Sequence, residues 1–167
     1  MSQYFDLFNL PATFALDTTT LDARYRAVAA QCHPDKFAAR SAFEQKQAMM
    51  MSTTVNEAYR TLKDPLNRAA YLLQAQGIEA DAPEHTQFAP AFLMQQMDWR
   101  ETLAEARAAA DEAALNNLAA EIHDAQTALY RQLDTAFANN TPAEAAALVR
   151  EGRFLNKLQQ EIQAALP

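Results

Sequence analysis

The stretch "AAQCHPDKFA", residues 29–38, decides how this chain folds. Proline pushes the residue before it out of the helical region, so Pro34 forces a helix running up to it to stop at His33. Upstream, Leu21, Tyr25, Val28 and Cys32 fall at i, i+4, i+7 and i+11, one helical face over residues 17–32, with Asp17 as cap and Asp22 in the first turns. Downstream, residues 37–42 read as loop. A long helix over about 43–63 follows, with Ala48, Met51, Val55, Ala58, Tyr59 and Leu62 as its apolar stripe. Two antiparallel helices joined by a short proline-fixed loop form a hairpin, and the loop carries His33, Pro34 and Asp35.

The rest of the chain extends the same pattern. "YFDLF" (4–8) makes one or two helical turns. Pro65 closes the long helix and opens another over 65–76, and Gly77 suits its C-terminal cap. Residues 78–90 hold two prolines and no clear period, and read as a linker. Three amphipathic patterns follow. They cover 91–109, 111–138 (Leu115, Leu118, Ile122, Ala125, Leu129, Leu133 and Ala136 on one seam) and about 142–165 (Leu148, Leu155, Leu158 and Ile162). Between the last two, Thr141 stands at the N-cap and Pro142 at the first helical position. The expectation is an all-α protein: an N-terminal helical hairpin over 1–76, a linker over 77–90, and a C-terminal three-helix bundle over 91–167.

Composition excludes several classes. Two glycines in 167 residues leave no Gly-rich phosphate loop. One cysteine excludes an internal disulfide and any CxxC motif, and points to a reducing, cytoplasmic compartment. "MSQYFDLFNLP" has no targeting pattern, and no apolar run approaches the ~20 residues of a membrane span. Charge is uneven. Residues 1–76 carry eight Lys/Arg against seven Asp/Glu, net +1; residues 77–167 carry six against fourteen, net −8. The acidic half argues against nucleic-acid binding, which rests on cations meeting phosphates.

Three uses of the central stretch compete. Cys32 and His33 could form a catalytic dyad, but adjacent helical residues point about 100° apart, and Cys32 sits on the apolar stripe, where cysteine acts as a small hydrophobe. His33 and Asp35 could hold a metal, but further ligands are needed. His85 lies in the linker and His123 on a bundle helix, without ligand-like spacing. Third, His33-Pro34-Asp35 could be a surface shape read by a partner.

"HPDK" between two such helices, with "YFDLFNLP" before and "NEAYRTLKDPLNRAAYLL" after, resembles a J-domain. Proteins of the DnaJ type use this domain to dock on a DnaK-type ATPase and stimulate its ATP hydrolysis. Together with "AFLMQQMDWRE", the pattern resembles the HscB family, the J-proteins of iron–sulfur cluster assembly, over essentially the whole chain. The resemblance implies a co-chaperone with no catalytic residues, metal or cofactor of its own. Its ATPase partner would be HscA and its client the cluster scaffold IscU. It implies chaperone docking through His33, Pro34, Asp35 and Lys36, with Arg24 and Arg26 on the preceding helix. That helix is poorer in basic residues than is common, with "AVAA" (27–30) where charges often stand.

Helix 91–109 holds a second candidate surface. Phe92, Trp99, Leu103, Ala106 and Ala110 share one direction, an ordinary core stripe. Leu93, Met94 and Met97 point elsewhere, amid Asp98, Glu101 and Glu105. Large apolar residues among acids, off the core stripe, suit either a binding surface or a wide stripe with an acidic edge. Phe154, about 100° from Leu155, is expected to be exposed. The HscB resemblance implies scaffold binding by Leu93, Met94, Met97, Asp98, Glu101, Glu105 and Phe154; Met97 and Asp98 stand where family members can carry leucine and glutamate. A general J-protein with other clients is the alternative.

Overall fold

The computed structural model describes residues 3–82 and 87–167. Among these there is no strand; there are seven α-helices and one 3₁₀ turn. In chain order they are α1 (Gln3–Leu7), α2 (Thr18–Gln31), the 3₁₀ turn (Pro34–Phe37), α3 (Ala42–Lys63), α4 (Pro65–Ala75), α5 (Pro90–Ala108), α6 (Glu112–Ala138) and α7 (Pro142–Ala165). The chain divides into two compact units between Gly77 and Ile78. His85, considered above as a metal ligand, lies outside the described residues.

In the first unit α3 is the hub, packing against α1, α2, α4 and the 3₁₀ turn. Phe5, Phe8, Leu21, Cys32, Val55, Ala58 and Leu62 form its core. The helix ends follow local chemistry. Asp17 accepts from Thr19 N at 3.1 Å to start α2. Ser41 accepts from Glu44 N at 3.2 Å to start α3 one residue before the expected position; Ser41 and Glu44 are the first and fourth residues of an S-x-x-E start signal. Asp64 closes α3 and caps α4 by accepting from Asn67 N at 2.8 Å.

Two ties span the hairpin. The Asp22 carboxylate accepts from Tyr59 OH at 2.7 Å and from Lys63 Nζ at 2.8 Å. The Lys63 bond, then the Tyr59 bond, hold Asp22 below the ordinary carboxylate range. Tyr25 OH donates to Asn56 at 2.8 Å, and the Tyr25 and Tyr59 rings stack 4.0 Å apart. Further along, the buried Arg68 donates through Nε to Phe14 O at 2.9 Å and through a terminal nitrogen to Leu62 O at 2.7 Å. Its guanidinium lies over the Phe14 ring. Met51, assigned above to the α3 core, is instead 46% exposed, because it faces an open groove shared with Gln3 and Leu7 of α1 rather than a close-packed neighbour.

In the second unit α6 and α7 pack along their length, and α5 lies against both. The α6 seam is buried as expected except Ala125, which is half-buried. On α7 the inward residues are Ala145, Ala146, Val149, Gly152, Leu155, Leu158 and Ile162. Val149 takes the place expected for its neighbour Leu148, which is half-buried. Thr141 does not cap α7 through its side chain; its hydroxyl donates to Ala136 O at 3.1 Å. In the segment after Gly77, Ala80 is buried and Asp81 is held by Arg153 at 2.9 Å.

Helices α1, α4, α5 and α6 each end with a left-handed residue: Asn9, Gly77, Ala110 and Asn140. Ala110 (φ 50°) is the costly one, because its Cβ crowds the following carbonyl. It is held by Asp111 N donating to Ala106 O at 2.9 Å, closing α5 before Asp111 caps α6. Replacing Ala110 by glycine is expected to raise stability by about 1 kcal/mol, read as a higher urea midpoint at unchanged slope.

Candidate functional site

The first site is the break between α2 and α3. Cys32 is buried at the C-terminus of α2, its thiol donating to Val28 O at 3.4 Å. One residue later the chain turns outward. His33 is extended (φ −62°, ψ 132°) and caps the 3₁₀ turn, with Nδ1 accepting from Asp35 N at 3.2 Å. This bond places the proton of neutral His33 on Nε2. Lys36 N donates to His33 O at 3.0 Å, closing the turn. The His33 and Asp35 side chains are 60% and 92% exposed, while Pro34 fixes the backbone between them. Cys32 and His33 thus point to opposite sides, the thiol inward and the imidazole outward, and the dyad geometry is not formed.

Of the two basic residues expected to flank this loop, Arg26 is exposed on α2. Arg24 has a structural tie: one guanidinium nitrogen donates to Phe8 O at 3.0 Å and Asn9 O at 3.1 Å, securing the end of α1. Lys36 is exposed beside Asp35.

The second site is the outer face of α5. Trp99, Leu103 and Ala106 are buried and point one way. Leu93, Met94, Met97, Asp98, Glu101 and Glu105 lie within about 140° of one another on the opposite side, and all are exposed. Leu93 is 43%, Met94 68% and Met97 71% exposed. The two open readings of this face therefore separate: it is not a widened core stripe. Apolar side chains left in water beside carboxylates make a patch suited to a partner with an apolar centre and a basic rim.

Phe154 departs from its expected exposure. It is half-buried between α5 and α7, edge-on to Phe92 (centroids 5.7 Å apart), stacked on Trp99 at 6.4 Å, with the Arg100 guanidinium 5.3 Å over its ring. Arg100 is in turn paired with Glu161. Phe92 is likewise half-buried in this cluster rather than core. Angle from the leucine seam showed that Phe154 lies off the α6 interface, but not that α5 supplies another cover.

Set beside known proteins, residues 3–71 match the DnaJ domain family and residues 88–163 match the HSCB C-terminal oligomerisation domain family. A co-chaperone protein HscB homolog of Neisseria meningitidis is 61% identical, over 99% of this chain and all of that protein. The chain belongs to the HscB family of J-domain co-chaperones. The solved structure of chaperone HscB from Vibrio cholerae is 40% identical, with TM-score 0.85 over 96% of this chain and 95% of that one. The human co-chaperone HscB is 32% identical, with TM-score 0.90 over 96% of this chain and 80% of that one. The sequence-based recognition and the all-α class are both borne out. Among the described residues no helix is long and apolar enough to cross a membrane.

The burial pattern separates exposed from bracing residues on the second unit. Phe154→Ala should destabilise the protein by about 2–3 kcal/mol, because a packed ring is lost. Met97→Ala should change stability by no more than about 0.5 kcal/mol. Paired thermal and urea melts of the two variants check this.

Proposed function

We propose that this chain is a cytoplasmic adaptor without enzymatic activity. It stimulates ATP hydrolysis by a DnaK-type chaperone, HscA, and delivers to it the iron–sulfur scaffold IscU. The observation that carries the reading is the HPD turn: three residues held by Pro34 and two local hydrogen bonds, with both polar side chains presented to solvent. A pre-shaped loop loses little conformational freedom on docking. Its His33 Nε2–H can donate while the Asp35 carboxylate accepts. Lys36 and Arg26 add positive charge on the same unit.

The outer face of α5 is the proposed scaffold surface. Leu93, Met94 and Met97 supply apolar anchors, since a few desolvated side chains carry most interface energy. Asp98, Glu101 and Glu105 tune approach and salt dependence as rim charges do. Phe154 supports this face from behind by bracing α5 through Phe92 and Trp99. Tethering the scaffold to a J-domain raises its effective concentration at the chaperone. ATP hydrolysis stimulated by the loop then locks the chaperone on its client and promotes cluster release.

Steady-state ATPase assays of the DnaK-type partner, with and without scaffold, test the first half. His33→Gln and Asp35→Asn should each abolish stimulation with unchanged melting; normal stimulation by either variant would remove that residue from the docking role. Isothermal titration against purified scaffold tests the second half. Leu93→Ala combined with Met97→Ala should weaken binding tenfold or more, about 1.4 kcal/mol, while stimulation by the free protein survives. Unchanged scaffold affinity in this double variant would remove the outer face of α5 from scaffold binding, and a parent protein that does not bind the scaffold would point to the general J-protein reading with other clients.

A further inference from the structure

Methionine is among the residue types most often fully buried, yet none of the five methionines among the described residues lies in the core. Met49, Met50, Met51, Met94 and Met97 are between 46% and 71% exposed. The core is built instead from leucine, isoleucine, valine, alanine and aromatic side chains, with Cys32 supplying its one sulfur. That thiol is turned inward onto Val28 O. The sulfur atoms open to an oxidant in solvent are therefore thioethers. Two of them, on Met94 and Met97, stand one helical turn apart on the outer face of α5, beside Leu93.

We propose that Met94 and Met97 are modification sites, oxidised to sulfoxides by hydrogen peroxide, and that this oxidation reversibly switches off scaffold docking. The inference rests on the α5 scaffold reading above. A lone pair of each thioether sulfur attacks one peroxide oxygen. An S–O bond forms as the O–O bond breaks, the sulfur loses two electrons, and the other oxygen leaves as water. A flexible apolar side chain becomes a polar one. On this face the new oxygen finds no free donor on its own helix. At i±3 and i±4 the neighbours of Met94 and Met97 are apolar or acidic, except Arg100, which is paired with Glu161 of α7. The sulfoxide oxygens therefore take their hydrogen bonds from water, and an apolar partner surface has to strip that water without replacing it. Of the three anchors only Leu93 stays apolar. Because no methionine among the described residues is buried, the same oxidation leaves the packing intact, and its effect is confined to what the surface binds.

The test treats the full-length protein with hydrogen peroxide, removes the peroxide, and titrates the product against untreated scaffold. Peptide mass spectrometry should place sulfoxides at Met94 and Met97. Scaffold affinity should fall about tenfold or more, with melting unchanged, and methionine sulfoxide reductase should restore it. Met94→Leu with Met97→Leu keeps both anchors apolar and should lose no affinity on the same treatment. This variant retains Met49, Met50, Met51 and Cys32, so it separates α5 from the other sulfur atoms. The proposal is overturned if the parent carrying both sulfoxides binds as tightly as before, or if the Leu double variant loses affinity as the parent does. It is equally overturned if Met94 and Met97 stay reduced while Met49, Met50 and Met51 oxidise, or if a lowered melting temperature accounts for the loss. The α5 reading is judged without peroxide. If Leu93→Ala with Met97→Ala binds the scaffold as the parent does, that reading falls and the switch falls with it. If that variant is weakened and the oxidised parent is not, only the switch falls.

Discussion

The organisation of the first unit rests on one backbone constraint, the conflict between Pro34 and a helical His33. Helix α2 has to end, and it ends where Cys32 is still buried and His33 is already in solvent. The 3₁₀ turn that follows is closed by bonds within the loop, His33 Nδ1 to Asp35 N and His33 O to Lys36 N. The turn is therefore closed by its own residues; α3 packs against it, but its exposed His33 and Asp35 side chains stay independent of that packing. That independence allows its polar side chains to remain exposed and available to a partner while the backbone stays defined.

A rigid loop is useful only if the helices on either side hold their register, and polar ties at the far end of the hairpin do this. Arg68 is a cation removed from water, and burial pushes its pKa down. Such a group is costly unless its donors are satisfied. Two carbonyls, from Phe14 and Leu62, the Phe14 ring and the nearby Asp64 charge offset that cost. The result fastens the segment before α2 to the end of α3. The Asp22–Tyr59–Lys63 cluster adds a tie between α2 and α3 at the surface. Because the folded Asp22 has a lowered pKa, its contribution is present at neutral pH and is lost as pH falls through and below the ordinary carboxylate range.

In the second unit the division of labour falls on α5. Its buried edge is aromatic, with Trp99 in the core and donating to Glu121 at 3.1 Å. Phe92 and Phe154 extend that edge toward solvent. The opposite edge keeps three large apolar side chains in water beside three acids. Burying the patch would require another helix, and both α6 and α7 already pack on the other side. A helix braced on one edge and left apolar on the other suits recognition of a partner.

Much of this was legible from residues alone. The helix at 17–32 and its stop, the capping role of Asp17, the break at Asp64-Pro65, and the separation of Leu93, Met94 and Met97 from the Trp99 stripe follow from 3.6-residue periodicity and proline sterics. These are local effects, carried by the residues that show them. The family was legible too, in "HPDK" and its flanks. The misses share a different cause. Met51 continues the α3 stripe in pattern but faces an open groove toward α1. Leu148 and Val149 are adjacent, and only the rotation of α7 against α6 chose Val149 for the core. Phe154 was placed correctly off the leucine seam, yet α5 covers it. The left-handed Ala110 has no local signal, because alanine pays there for a turn that α5 and α6 require. Periodicity states which side chains share a face; how far each face extends, and which neighbour covers it, depends on helix lengths and rotations that only the packed structure decides.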